Sequence, residues 1–252
     1  MWKFPGRLPI SGASPRRQNA RSFSAGRSRP AHRFGPDDRP PRRRLPHAAA
    51  RFAMTMANTA YPHVLAFGDS LTAGYGLPAS QSFPAQLQAL LRQSFPTAQV
   101  RNAGVSGDTT RSGLARLPRL LSGLRAKPDL AIVELGANDM LRFVDPAATR
   151  RNLDAILAEF ESCGISVLLA GMVAPAFLGA VATRFNAIYP GLAAKHGVPL
   201  YPFFLNGAIG AADLTIADRI HPSAKAVGIV ARNILPSVVA ALGGSTRAAS
   251  VA

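Results

Sequence analysis

The pattern of apolar positions changes character near residue 60. From residue 63 onward, short continuous apolar runs alternate with stretches in which apolar residues recur every three or four positions. His63–Phe67, Ala98–Asn102, Asp129–Leu135, Ile165–Ala170 and Val198–Tyr201 read as strands. Ser82–Phe95, Thr110–Leu124, Pro146–Glu161, Ala180–His196 and Ser223–Ala241 read as helices. Phe83, Leu87, Leu90 and Leu91 share one helical face, as do Leu153, Ile156, Leu157 and Phe160. Pro84 suits a first helical turn, where its missing donor is not needed, and Pro118 predicts a bend. Continuous apolar strands are expected where both faces of a sheet are covered. Their alternation with helices predicts an α/β fold, a three-layer αβα sandwich around a mostly parallel five-stranded sheet.

Before that region the pattern is different. Of the 29 basic residues in the chain, 13 fall in residues 1–56, against only Asp37 and Asp38. The formal charge of +16 is therefore concentrated in an arm, and residues 57–252 form a nearly ordinary domain. Eight prolines and isolated apolar residues leave the arm too little surface to bury, which predicts disorder. Three readings compete for it: a nucleic-acid or anionic-membrane contact, a targeting segment, and upstream sequence before a translation start. The abrupt change at Met54–Met56 favours the last. Residues 45–53 make a poor secretory h-region, so no clear signal peptide precedes the domain, and periplasm and cytoplasm both stay open. No run of 18 apolar residues supports a transmembrane segment. Cys163, the single cysteine, excludes an intrachain disulfide framework and reads as a small core residue.

A parallel sheet places its ligands beyond the carboxyl ends of its strands. Gly68-Asp69-Ser70-Leu71 follows the first strand, and Gly104-Val105-Ser106-Gly107-Asp108 the second. Gly136-Ala137-Asn138-Asp139 follows the third, and Asp218-Arg219-Ile220-His221-Pro222 precedes the closing helix. Together these supply an acyl-transfer site. Ser70 offers a hydroxyl, His221 a base and Asp218 a carboxylate to orient it. Backbone donors at Ser70 and Gly104 and the amide of Asn138 can face a developing oxyanion. A serine after a strand is also a common helix cap, so the tripeptide alone does not decide. Asp69 and Asp108 read as turn residues and Asp139 as a scaffold residue. His63 and His196 lack an acid partner in a comparable motif. No metal-ligand spacing, Walker sequence or GxGxxG appears, so no metal or cofactor is expected.

These four segments resemble the consensus blocks of the SGNH hydrolases, also called the GDSL lipase/esterase superfamily. The likeness is to its bacterial subgroup of thioesterase I/protease I/lysophospholipase L1 and short arylesterases, and runs from about Val64 to Pro236. It implies a flavodoxin-like fold, with Ser70 as nucleophile and oxyanion donor, Gly104 and Asn138 as further donors, and Asp218 and His221 completing a triad. Arg219 stands where the family usually has glycine, and Ser223 where asparagine is common. In the resembled subgroup the segments after the third and fourth strands form an acyl pocket and a specificity loop. Leu141, Phe143, Met172, Pro175, Phe177 and Leu178 would then form an apolar wall, though any single one reads equally well as core. The expected partner is a small acyl ester or thioester, with no obligate nucleic acid and at most weak membrane or anion contact through the arm. The sequence does not speak to oligomeric state.

Deletion of residues 1–56 is expected to leave the melting temperature and the rate of ester hydrolysis unchanged. A large loss of either would show that the arm belongs to the working domain.

Overall fold

The computed structural model describes residues 61–249. The basic arm at 1–56, its boundary with the domain and the binding roles weighed for it lie outside those residues. Five strands form one sheet: β1 (His63–Gly68), β2 (Gln99–Gly104), β3 (Leu130–Glu134), β4 (Ser166–Ala170) and β5 (Leu200–Tyr201). Their order is β2-β1-β3-β4-β5, and every pairing is parallel rather than mostly so. Val64 is registered between Val100 and Leu130, and Gly68 between Gly104 and Glu134. The strand carboxyl ends are thereby level. This is the flavodoxin-like order, whose crevice opens between β1 and β3, where the strand order reverses.

The helices are α1 (Ser70–Ala73), α2 (Phe83–Leu91), α3 (Thr110–Ser122), α4 (Ala137–Leu141), α5 (Pro146–Ser162), α6 (Ala180–Asn186), α7 (Ile188–His196) and α8 (Ala224–Ala249). Helices α2 and α8 pack together as one layer, and α3, α5 and α7 pack in sequence as the other. β3 is buried throughout because both layers cover it. Phe67 and Phe160 meet edge to face across 5.8 Å in the core. Helix α8 contains a 21-residue stretch, Ala224–Gly244, long and apolar enough to cross a membrane. Its Val227, Val230, Ile234, Val238 and Leu242 are buried in the domain core, which accounts for that composition.

Local chemistry moved several boundaries. The single helix expected over Ala180–His196 is two helices, α6 and α7, broken at Ala187. Pro190 explains the break, because in a continuous helix its ring would meet the carbonyl of Asn186. In the observed arrangement it lies in the first turn of α7, where it is tolerated. Strand β5 is two residues rather than four, since Pro199 cannot donate to a ladder and only its carbonyl is used, accepting from Leu169 N–H at 3.0 Å. Cys163 is exposed at the end of α5 instead of lying in the core.

Candidate active site

Ser70, Gly104 and Asn138 come from the ends of β1, β2 and β3, which are adjacent in the sheet. The turn after β1 is short and folds straight into α1. Asp69 caps that helix, its Oδ1 accepting from Leu71 N–H at 2.9 Å. Ser70 therefore stands at the first helical position, 8% exposed. Among the described residues no acceptor takes its backbone N–H. Gly104 packs directly on α1. A Cβ there would lie 2.3 Å from Ala73 N and 2.8 Å from Asp69 O, so no side chain fits.

The loop Asp218–His221 reaches the serine from the far end of the chain. His221 Nε2 lies 3.0 Å from Ser70 Oγ, and His221 Nδ1 lies 2.6 Å from Asp218 Oδ2. Asp218 Oδ1 accepts from the backbone N–H groups of Ile220 at 2.9 Å and His221 at 3.0 Å. The Ile220 donor, helped by the imidazole and the His221 N–H, holds the Asp218 carboxyl down to about 2. It is thus ionised throughout the range in which a histidine can act as base. An antiparallel bridge between Thr215 and Pro222 closes the loop. Arg219 sits in it at φ +58°, the left-handed region that favours the glycine usual in the resembled family.

The two other groups expected to face an oxyanion, Gly104 N–H and the Asn138 amide, have internal acceptors. Gly104 N–H donates to Asn102 Oδ1 at 2.9 Å. Asn138 Nδ2 donates to Asp69 Oδ2 at 3.1 Å and to Asp108 O at 3.0 Å. Gly136, not Asn138, is the N-cap of α4, and no side-chain cap bond is made there. Asn138 is thus fixed by the nucleophile turn on one side and the second loop on the other.

Beneath the site lie two buried carboxyl groups. Glu134 Oε2 accepts from Thr72 Oγ1 at 2.7 Å and from Asp69 N–H at 3.4 Å, while Oε1 has no partner among the described residues. Burial, reinforced by neighbouring Asp69, pushes the Glu134 carboxyl well above its ordinary value. Burial pushes Asp69 up to about 6 against the hydrogen bonds from Leu71 and Asn138. Sequence reasoning passed over Glu134, although an acid inside the apolar run DLAIVEL was a visible anomaly. Asp139 and Asp108 serve the scaffold as expected. Asp139 accepts from Thr110 N–H at 2.8 Å and from the Thr149 hydroxyl at 3.2 Å, and Asp108 pairs with Arg116 at 2.5 Å.

The expected apolar wall divides. Phe143 and Leu178 line a cavity of about 440 Å³ with Met140, Val144, Ala174 and Phe185, and Arg184 lies in its lining with Asp145, 3.8 Å away. Met172 does not contribute to it and is buried in the core at 4% exposure, one residue beyond the Gly171 that ends β4's run. Leu141, Pro175 and Phe177 also lie outside the lining, with Leu141 and Phe177 exposed. No triad atom lines this cavity. Helix α4 links the two regions, since it carries Asn138 and Met140. His196 has acid partners after all, with Nε2 2.6 Å from Asp154 and Nδ1 3.4 Å from Glu161, but no hydroxyl among the described residues completes the group.

Residues 66–227 match the model of the GDSL-like lipase/acylhydrolase family. The chain belongs to this family. It is 36% identical over 189 residues to an arylesterase of Vibrio mimicus, a match covering 75% of this chain and 94% of the relative. It is 38% identical over 179 residues to thioesterase 1/protease 1/lysophospholipase L1 of Escherichia coli strain K12, covering 71% and 84%. The crystal structure of AlinE4, an SGNH-hydrolase family esterase, is 46% identical, covers 72% of this chain and 97% of its own, and superposes with a TM-score of 0.61. This GDSL family member is an ester-hydrolysing serine hydrolase.

The buried carboxyls set a stability profile. A carboxyl whose folded value is raised stabilises the fold fully below its unfolded value and loses that contribution as pH rises through the folded one. For Asp69 the loss runs from 3.8 to about 6, and for Glu134 it starts at 4.5 and extends well above. Stability should therefore fall as pH rises from 4 toward 8. Glu134→Gln, which fixes the neutral form, should flatten that fall and leave the melting temperature at pH 8 no lower than wild type. An unchanged slope in thermal melts would contradict a protonated Glu134.

Proposed function

We propose that this hydrolase cleaves short- to medium-chain acyl and aryl esters, acyl thioesters and lysophospholipids through a Ser70 acyl-enzyme. The observation that carries the reading is the continuous hydrogen-bonded chain from Asp218 through His221 to Ser70 Oγ. In it, His221 Nε2 takes the hydroxyl proton as Oγ attacks the carbonyl carbon, and Asp218 holds the other ring nitrogen. The carbonyl electron pair moves onto oxygen. Collapse expels the alcohol or thiol, which receives the proton from His221, and water activated by the same base releases the acid. Ser70 N–H is the open oxyanion donor. Gly104 N–H and the Asn138 amide join by sharing or exchanging their internal acceptors as the stronger negative charge develops.

The surface around this end suits apolar substrates. Tyr75, Val105, Leu141, Phe143, Val173, Phe177, Val181 and Ile220 are exposed, and they follow β1 to β4 or lie in the base loop. Phe143 is 82% exposed and adopts φ +55°, an unfavourable conformation for an aromatic residue that places it at the cavity. Phe143, Leu178 and Met140 would form the acyl wall. Such a pocket discriminates by only about 1–3 kcal/mol per methylene, so a broad range of chain lengths is expected. The names of the Vibrio and Escherichia relatives, an arylesterase and a thioesterase/lysophospholipase, support that range.

A series of p-nitrophenyl esters and acyl-CoA thioesters of increasing length tests the reading, with Ser70→Ala as control. Activity peaking at short or medium chains and abolished in Ser70→Ala is the expected result; activity retained in that variant would overturn it. Asn138→Ala should lower kcat by about 10²–10³ with little change in KM, the usual loss for one oxyanion donor. It should also lower the melting temperature, because buried Asp69 loses a hydrogen-bond donor. A destabilised variant with wild-type kcat would reduce Asn138 to a scaffold residue.

A further inference from the structure

Tyr75 stands five residues beyond Ser70, with its ring against the base. The centroids of the Tyr75 and His221 rings are 4.4 Å apart, and their planes are inclined by 38°. Backbone geometry fixes the tyrosine there. Its N–H donates to Ser70 O at 3.1 Å, and glycines flank it at φ +82° and +73°. Side-chain-bearing residues rarely adopt those angles. Space is equally restrictive: a Cβ on Gly74 would lie 2.6 Å from Ser82 Cβ, and one on Gly76 2.6 Å from Ile216 Cδ1. Ile216 belongs to the base loop, where its N–H donates to His221 O at 3.0 Å. The segment Gly74–Gly76 therefore packs on the loop that carries the base, and Tyr75 covers the imidazole itself. The tyrosine is 51% exposed, so a place in the core does not account for it.

We propose that Tyr75 is a positioning residue for the base. Its ring face holds the His221 imidazole over Ser70 and stabilises the imidazolium formed when the Ser70 proton is transferred. An aromatic face attracts a cation within about 6 Å of its centroid. His221 is neutral before the transfer and cationic after it, so the attraction is felt mainly in the transition state, where it accelerates the reaction. The proton leaves Ser70 Oγ for Nε2 as the Oγ–carbon bond forms, and later passes to the leaving group. Other groups act on the same ring. Asp218 holds Nδ1 from the ring's own loop, Ser70 faces Nε2, the charge of Asp69 acts from the nucleophile turn, and Arg219 is an exposed cation two residues away. Tyr75 adds stabilisation through a neutral surface that needs no counter-charge.

The role presupposes His221 as the base of the proposed hydrolysis, so His221→Ala is assayed in parallel. The full chain is followed with p-nitrophenyl butyrate from pH 5 to 9, with a melting temperature for each variant. Tyr75→Leu keeps apolar bulk and removes the π face. It should lower kcat about two- to fivefold with little change in KM, the effect of one exposed cation–π contact. The acid limb of its kcat profile should move to lower pH, because the imidazolium is less favoured. Tyr75→Phe retains the face and should recover most of the rate, and Tyr75→Trp should move the acid limb the other way. Wild-type kcat and acid limb in Tyr75→Leu would overturn the role, as would equal losses in the Phe and Leu variants. An active His221→Ala would instead sink the catalytic reading itself. An inactive His221→Ala beside an unaltered Tyr75→Leu would remove Tyr75 alone.

Discussion

Two carboxyl groups are buried together where β1 and β3 end, and much of the polar structure around the site answers that constraint. An isolated charge in such a place is expensive, so each group must be hydrogen-bonded, neutralised or both. Asp69 takes donors from Leu71 N–H and the Asn138 amide, and Glu134 takes them from the Thr72 hydroxyl and Asp69 N–H. Leu71 and Thr72 lie in α1, and Asn138 lies in α4. Satisfying the carboxyls therefore ties the turn that presents Ser70 to the loop that presents Asn138. The Asn138 amide is thereby held beside the serine turn by the same bond that satisfies Asp69. Raised proton affinity at Glu134 is the remaining consequence, since its second oxygen has no donor among the described residues.

Much of this fold was legible in the sequence because a sheet covered on both faces writes itself as continuous apolar runs. All five expected strands exist, and the serine, histidine and aspartate singled out at the strand ends and before the closing helix converge at hydrogen-bonding distance. The failures have local causes. Helical spacing continues smoothly across Ala187, and only the clash three residues on, at Pro190, divides α6 from α7. Met172 and Phe177 look alike as apolar residues after a strand. Yet the first is buried in the core just past the end of β4, and the second lies 75% exposed beyond the turn. Val181, Arg184 and Phe185 reach the cavity from α6, a helix whose rotation no periodicity could specify. Tyr75 escaped notice because its partner is 146 positions away along the chain.

The chain contains a second histidine–carboxylate pair, and comparing the two separates chemistry from decoration. His196 Nε2 lies as close to Asp154 as His221 Nδ1 lies to Asp218, both at 2.6 Å. Lys195 also binds Asp154, at 2.6 Å, and the lysine and histidine together hold its carboxyl below the ordinary range. The pair joins the C-terminal turn of α7 to α5, and the Lys195 cation in that turn complements the helix dipole. Among the described residues no hydroxyl meets its second nitrogen, which faces Glu161 instead. Here an acid beside an imidazole fastens two helices. Reactivity requires that the remaining nitrogen face a nucleophile held by a different element.

That requirement explains the economy of the base loop. Asp218 and His221 are three residues apart, so the acid orients the imidazole within a single turn, and the turn's own Ile220 and His221 N–H groups keep the carboxyl ionised. The loop thus carries both the imidazole and the carboxylate that holds its Nδ1. What the rest of the domain must supply is one distance, from that base to Ser70 Oγ. Several contacts set it. The Thr215–Pro222 bridge closes the loop, Ser223 N–H donates to Leu214 O at 3.0 Å, and Ser223 Oγ donates to Asp213 O at 2.8 Å. Ile216 and Tyr75 then press the loop against the serine turn. Ser223, which stands where the resembled family often has asparagine, makes two of the bonds that moor this segment to the start of α8, and Lys225 Nζ adds a third to Asp213 at 2.5 Å. The two departures from the family pattern therefore divide in effect. Ser223 bears on where the base stands, whereas Arg219, exposed and strained at the rim, bears on what can approach it.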